Sequence, residues 1–164
     1  MESSSRPPEV FTIGHSRCAF ADILALLKTF RIQMLVDIRA RSHVSFFPEF
    51  SKKNIKMTLV QSGIVYVFLG DSLGLAKDPR GRNKRNFDRI QLESTAEFKE
   101  GIEWVMDQAR YARICLFAGE ADPFICHRHY LVGQNLLARG ARVNHILLDG
   151  TLVQAGPDLF HRPG

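Results

Sequence analysis

Short β-rich apolar runs recur along the chain, and helical stretches of roughly regular length separate them. Val10-Phe11-Thr12-Ile13 stops at Gly14, and Phe20, Ile23, Leu24, Leu27 and Phe30 follow at helical spacing. Residues 34–38 are apolar nearly throughout, as a strand covered on both faces must be. Ser51 is placed to cap a helix over 52–61 that Gly63 ends, and a third strand follows over 64–69. Ser94 and Glu97 stand at capping-box spacing ahead of Phe98, Ile102, Val105 and Met106. A fourth strand over 112–118 leads to a helix within 122–139 that Gly140 closes. A fifth strand, 143–148, ends at an Asp149-Gly150 turn. Strands joined by helices imply βαβ crossovers. The expected fold class is α/β: a single domain with a mainly parallel sheet of about five strands and helices on both faces.

The 164 residues are one domain's worth, and a chain this long buries enough surface for one ordinary core. Residues 1–8 read as a flexible N-terminal segment, 9–153 as the domain and 154–164 as a loose tail. No apolar run approaches the roughly 18 residues of a membrane helix, and the N-terminus has no apolar signal region. The three cysteines, Cys18, Cys115 and Cys126, are too few for a disulfide framework. A cytoplasmic protein without a membrane partner is expected. The net charge of +5 and the pI of about 9.4 favour anionic partners. Six of the 22 Lys and Arg, Arg89 among them, fall in 70–93 against Asp71, Asp78, Asp88 and Glu93; the stretch shows little periodicity and reads as a basic flap loop. It carries Lys77, Arg80, Arg82, Lys84 and Arg85.

In an open parallel sheet, ligands bind outside the carboxyl ends of the strands. There the first strand ends in Gly14-His15-Ser16 and the second in Asp37-Ile38-Arg39-Ala40-Arg41. The third ends in Gly70-Asp71, and the fourth in Gly119-Glu120, with Cys126-His127-Arg128 close behind. Gly14, His15 and Ser16 suit either a sharp turn with a helix cap or a ligand site. Asp37 and Arg39 share a face if the strand continues, as a structural ion pair or as an anion clamp with an orienting carboxylate. Cys126 falls within about a turn of a helix start. The helix end, Arg128 and His127 would lower its thiol pKa; otherwise it is an inert buried thiol. Glu120, partly desolvated, suits a general acid or base. Phe50 suits packing, and Phe46 suits packing or stacking. There is no Cys-x-x-Cys pair and no His-x-x-x-His on a clear helical face, so no metal is expected; no cofactor is expected either. Gly70-Asp71-Ser72-Leu73-Gly74 is not a phosphate loop, because no Gly-Lys-Ser/Thr follows.

Several of these segments, in order, resemble one family. They are Thr12-Ile13-Gly14-His15-Ser16, Val36-Asp37-Ile38-Arg39, Pro48-x-Phe50 and Gly63-Ile64-x-Tyr66. Then come Leu69-Gly70-Asp71-x-Leu73-Gly74 with Lys77-Asp78-Pro79, and Glu120-x-Asp122-Pro123 with Cys126-His127-Arg128 and a late His145-Ile146. Over residues 11–153 the chain is similar to Domain of Unknown Function 488. The resemblance implies a small cytosolic α/β protein with a site at these residues, and no settled reaction. Members typically carry Pro-x-Ser-Arg where this chain has Ser42, Val44 and Ser45. Many carry Gly-Gly-Arg where it has Gly74-Leu75-Ala76, and Cys-Ala-Glu where it has Ala118-Gly119-Glu120. Two family arginines and a second cysteine are therefore missing. That argues against dithiol redox chemistry and a two-cysteine metal site, and it leaves three readings of the arginines: Arg41 or the flap replaces them, the substrate differs, or catalysis is lost.

The leading expectation is a hydrolase or transferase acting on a nucleotide, nucleobase or nucleic acid, with N-glycosidic chemistry as one form. Glu120, Asp37, His15 and Cys126 are its candidate catalytic groups. Gly14, Ser16, Arg39, Arg41, Asp71, His127 and Arg128 are its candidate substrate- and phosphate-binding groups. Two alternatives stand beside it: a non-catalytic nucleic-acid-binding module using the basic flap, and cysteine chemistry at Cys126.

Overall fold

The computed structural model describes residues 6–40, 47–75 and 85–158, the side chains of 85–88 excepted. Within them lie strands β1 (Glu9–Gly14), β2 (Met34–Asp37), β3 (Val65–Phe68), β4 (Ile114–Ala118), β5 (Arg142–Ile146) and β6 (Leu152–Gln154). The helices are α1 (Phe20–Thr29), α2 (Lys52–Gln61), α3 (Gly70–Leu73), α4 (Arg85–Ser94), α5 (Ala96–Gln108) and α6 (Gln134–Ala138). The sheet order is β3-β2-β4-β1-β5-β6. Every pairing is parallel except the last, where β6 runs antiparallel to β5. The expected α/β sheet is therefore present, with one strand more than the sequence pattern shows. Leu152–Gln154 is too short for a periodicity signal. The segment from 154 is not loose as far as it is described: Ala155 N–H donates to Val143 and Asp158 N–H to the Gln134 side chain.

Alternation along the strands divides the core into two layers. Phe11, Ile13, Leu35, Cys115, Phe117 and Ile146 point to the face covered by α1 and α2, where Phe20, Ile23, Leu27, Ile55 and Leu59 meet them. Val10, Val36, Ile114, Leu116 and Val143 point to the other face, against Phe98, Ile102, Val105, Leu131 and Leu136. Each such fully buried side chain is worth about 1.5–3 kcal/mol relative to exposure. This sandwiching explains why the central strands are apolar at nearly every position.

Local signals behave as their chemistry requires, with three differences. Ser51 caps α2 by accepting from Asn54 N–H, and Gly63 (φ 73°) and Gly140 (φ 88°) take left-handed conformations just past α2 and α6. Asp122 caps a 3-10 turn, Pro123–Ile125, with proline at its first position. The α5 cap, however, is Thr95, whose hydroxyl accepts from Phe98 N–H; Ser94 instead ends α4. The stretch 70–93, expected as a flap loop, is helical at both ends, in α3 and α4. Its polar sequence hides short helices that pack on α5 by few apolar residues. Finally, the expected helix within 122–139 is broken into the 3-10 turn, a π-helical turn (Arg128–Gly133) and α6.

Candidate functional site

β1 and β4 are neighbours, but their outgoing connections diverge. β1 feeds α1 on one face and β4 feeds the π turn and α6 on the other. A crevice opens where adjacent strands send their chains to opposite faces. The two exits are zipped together at their start: His15 N–H donates to Ala118 (3.1 Å) and Ser16 N–H to Gly119 (2.7 Å). Gly14 permits this approach, because a Cβ there would overlap the Glu120 carbonyl. Ser16, exposed, has φ 47°, a left-handed conformation that costs a non-glycine residue on the order of 1 kcal/mol.

One polar cluster lies on the α1/α2 face. Asp37 is fully buried and accepts at all four of its lone-pair positions. Arg39 donates to Oδ1 from N (3.1 Å) and Nε (2.9 Å), and to Oδ2 from Nη2 (2.8 Å). Tyr66 donates to Oδ2 at 2.6 Å. Burial, then the adjacent Asp37 charge, pushes the Tyr66 phenol well above its ordinary value, so it stays a donor. Arg39 also donates from Nη1 to the Phe50 carbonyl (2.9 Å) and lies 4.7 Å over the Phe117 ring. Asp37 is thus committed to holding Arg39 and Tyr66. Of the two readings the sequence left open for Asp37 and Arg39, the structure shows the buried ion pair.

His15 stands beside this cluster, stacked on Phe50 (4.2 Å between ring centres) and tilted against Phe117. Its Nδ1–H donates to the Ser16 carbonyl at 2.8 Å, which leaves the lone pair on Nε2. That nitrogen lies 3.8 Å from where a Cβ on Gly119 would be. Burial, chiefly, holds His15 below the ordinary histidine value, so the ring is neutral and basic at Nε2 near neutral pH.

The second cluster lies on the opposite face. Arg128 is fully buried. It donates from Nε to Thr12 Oγ1 (3.1 Å), from Nη1 to the Glu120 carbonyl (2.5 Å) and from Nη2 to the Ala121 carbonyl (3.0 Å). These protein acceptors take three of the five guanidinium N–H groups. Thr12 and His145 are register partners on β1 and β5, and their side chains meet at 2.6 Å. His145 Nε2 meets His129 Nδ1 at 3.0 Å, and His129 Nε2 meets Asp158 at 3.0 Å. His127 donates from Nε2 to the Ile38 carbonyl (2.9 Å), leaving Nδ1 toward the Cys126 sulfur at 3.8 Å. Burial holds His127 below its ordinary value.

Cys126 lies just ahead of the π turn, within a turn of its start as the sequence placed it, and it is 1% exposed. Burial pushes its thiol up, and Arg128, by its charge and its hydrogen bonds, pulls it back only in part. Of the two readings the sequence left open, this burial favours the inert thiol.

Glu120, half-buried just past β4, joins the two clusters. Its carboxylate charge raises His15 on one side and His127 and Cys126 on the other, in each case against the dominant effect of burial on the histidines. The structure therefore brings together Gly14, His15, Glu120, Cys126, His127 and Arg128, with Asp37 and Arg39 beneath His15. Asp71 stands exposed in the first turn of α3 and makes no described contact with them. Arg41, Lys77, Arg80, Arg82 and Lys84, the side chain of Arg85, and Ser42, Val44, Ser45 and Phe46 lie outside the described residues. Sequence reasoning missed Tyr66, Thr12, His129 and Asp158 as members of the polar network. Only the Thr12–His145 pairing had a usable signal, two polar residues inside buried strands.

Among the described residues, no cluster of three His, Cys, Asp or Glu side chains is arranged to hold a metal ion. No helix among them is long and apolar enough to cross a membrane. A groove of about 480 Å³ at the opposite pole of the sheet is lined by Arg6, Glu9, Phe11, Arg110 and Arg113 and contains none of the residues above.

Comparison with curated proteins gives no match, and comparison with solved structures gives none. A family model matches residues 19–134, a span that includes Asp37, Arg39, Glu120 and Cys126 to Arg128 but stops short of His15 and His145. On that match, over more than half of its length, the chain belongs to the family described as Domain of unknown function DUF488.

Proposed function

We propose that this protein is a hydrolase or transferase acting on a nucleotide, nucleobase or nucleic acid, with Glu120 and His15 as its acid–base pair. The observation that carries the reading is the position of Glu120. It lies at the switch point between β1 and β4, half-buried, with its charge acting on His15 and on His127. A half-desolvated carboxylate beside a neutral imidazole suits cleavage of an N-glycosidic bond. The carboxylate orients or deprotonates the attacking group, or stabilises the developing positive charge on the sugar, and the imidazole moves the second proton. His15 Nε2 carries the lone pair such a step uses, and its stacking on Phe50 fixes the ring.

The reading differs from the sequence expectation in what holds the substrate. Asp37, Arg39 and Arg128 are construction, each saturated or largely occupied by protein partners. Affinity for an anionic substrate rests instead on the overall positive charge and on exposed residues at the mouth such as Arg17.

The test is release of free base, or transfer of the glycosyl group, from a panel of nucleosides, nucleotides and oligonucleotides bearing ordinary and modified bases. Wild-type turnover is expected on at least one class. Glu120→Gln is expected to reduce it by on the order of 100-fold or more, the usual worth of a positioned acid–base group. Turnover at the wild-type level in Glu120→Gln, with the fold verified by circular dichroism, overturns the assignment. Salt-sensitive oligonucleotide binding without turnover favours a binding module instead.

A further inference from the structure

The hydrogen bonds from Arg128 to Asp158 form one continuous chain through the interior: Arg128, Thr12, His145, His129, Asp158. Its first four members are buried and only Asp158 reaches solvent, at 40% exposure. The donor inventory leaves it two directions, set by the charge of His129. The Asp158 carboxylate accepts, so His129 Nε2 carries a proton. Burial, then the charges of His129 and Arg128, pushes His145 down to about 3, so that ring carries one proton. Arg128 Nε–H takes one lone pair of Thr12 Oγ1 as its acceptor. With His129 neutral, the His145 proton sits on Nε2 and is donated to His129 Nδ1, and the Thr12 hydroxyl donates to His145 Nδ1. With His129 charged, the His145 proton sits on Nδ1 and is donated to the second lone pair of Thr12, while His129 Nδ1–H donates to His145 Nε2.

Two further features hold the ends. The π-helical turn places Arg128 and His129, adjacent in sequence, both inside the protein. It depends on Gly133, where a Cβ would lie 2.6 Å from the Arg128 carbonyl oxygen. Such turns are rare and recur at functional sites. At the other end, the Gln134 side chain grips the C-terminal segment twice. It donates to the Gly156 carbonyl (3.2 Å) and accepts from Asp158 N–H (2.9 Å).

We propose that Thr12, His145, His129 and Asp158 are positioning residues that hold the Arg128 guanidinium, and through its bonds to the Glu120 and Ala121 carbonyls set the catalytic Glu120. The C-terminal segment thereby controls the crevice from the far side of the sheet. The effect on catalysis rests on the proposed role of Glu120; the chain itself does not.

Two measurements on the full-length chain separate these. The first is long-range ¹H–¹⁵N NMR of the imidazoles, with water exchange of the Arg128 Nε proton. It should show His145 with one ring proton, on Nε2 or Nδ1 according to the charge of His129, and a slowly exchanging Arg128 proton. Asp158→Ala should speed that exchange on the order of tenfold, the effect of losing one hydrogen bond to a charged group, and Asp158→Glu should restore it. Arg128 exchange unchanged in Asp158→Ala overturns the chain. The second is turnover in the base-release assay. Asp158→Ala should lower kcat on the order of tenfold with KM nearly unchanged, again rescued by Asp158→Glu. Unchanged kcat alongside accelerated exchange overturns the positioning role. A wild-type protein inactive on the whole panel refutes the reading of Glu120, while the NMR result still decides the chain.

Discussion

Two arginines are buried at the carboxyl ends of this sheet, one on each face, and they are neutralised differently. Arg39 is paired with a carboxylate that accepts three of its N–H groups. Arg128 donates to two main-chain carbonyls and a threonine hydroxyl, which are dipoles rather than charges. Around Arg39 the fields largely oppose: at both His15 and Tyr66, Asp37 and Arg39 act in contrary senses. Arg128 reaches further, and its charge lowers Cys115, Cys126, His127 and His145. Glu120 holds Arg128 through its carbonyl, and its side-chain charge is felt by groups on both faces.

The largest expected effect breaks the first cluster. Asp37→Ala leaves the Arg39 guanidinium buried without its counter-charge and should cost about 3–5 kcal/mol in denaturant unfolding. A loss below about 1 kcal/mol would mean that Arg39 is hydrated, and the contrast with Arg128 would fail. Arg128→Met should cost less, about 2–3 kcal/mol, because it orphans neutral acceptors and removes a charge rather than stranding one. The same substitution should raise the titration points of His127 and Cys126, read by NMR and by alkylation rate against pH. Tyr66→Phe removes one hydrogen bond to a charged group and should cost about 1.5 kcal/mol.

The acid response is spread over several groups. His15, His127 and His145 are all held below the ordinary histidine value near 6.5, so the unfolded chain takes up protons first. Their contribution to stability is complete above that value and is lost as pH falls toward each folded value, for His145 down to about 3. The slope is at most about 1.4 kcal/mol per pH unit for each histidine still neutral in the fold. Unfolding at several pH values between 7 and 4 (about the span in which unfolded histidines titrate) measures it. Stability that is flat across that range would contradict the burial of all three rings.

Much of the architecture was legible in the sequence because apolar periodicity encodes burial directly. Five strands and the helices α1, α2 and α5 stand where Phe20, Ile23, Leu27, Phe98, Ile102 and Val105 put them. Strand order was not legible, since every βαβ unit satisfies its local pattern whichever neighbour it joins. The π turn was invisible for a related reason: its extra residue depends on Gly133 and on what Arg128 and His129 bond, both tertiary facts. The strand-end rule picked out Glu120, His15, Asp37, Arg39 and Cys126 alike, because a residue at the mouth of a crevice and one bonded just beneath it look the same in one dimension. The partners that distinguish them, Tyr66, Phe50 and Thr12, come from other strands and loops.

The account stands on Glu120 and His15 sharing one crevice, and a histidine titration tests that without any substrate. In the wild-type protein the His15 ring should titrate below 6.5, the ordinary histidine value. In Glu120→Gln, the loss of the neighbouring negative charge should push it lower still, and move His127 in the same direction. A His15 that titrates at the ordinary value and ignores the substitution would contradict the account.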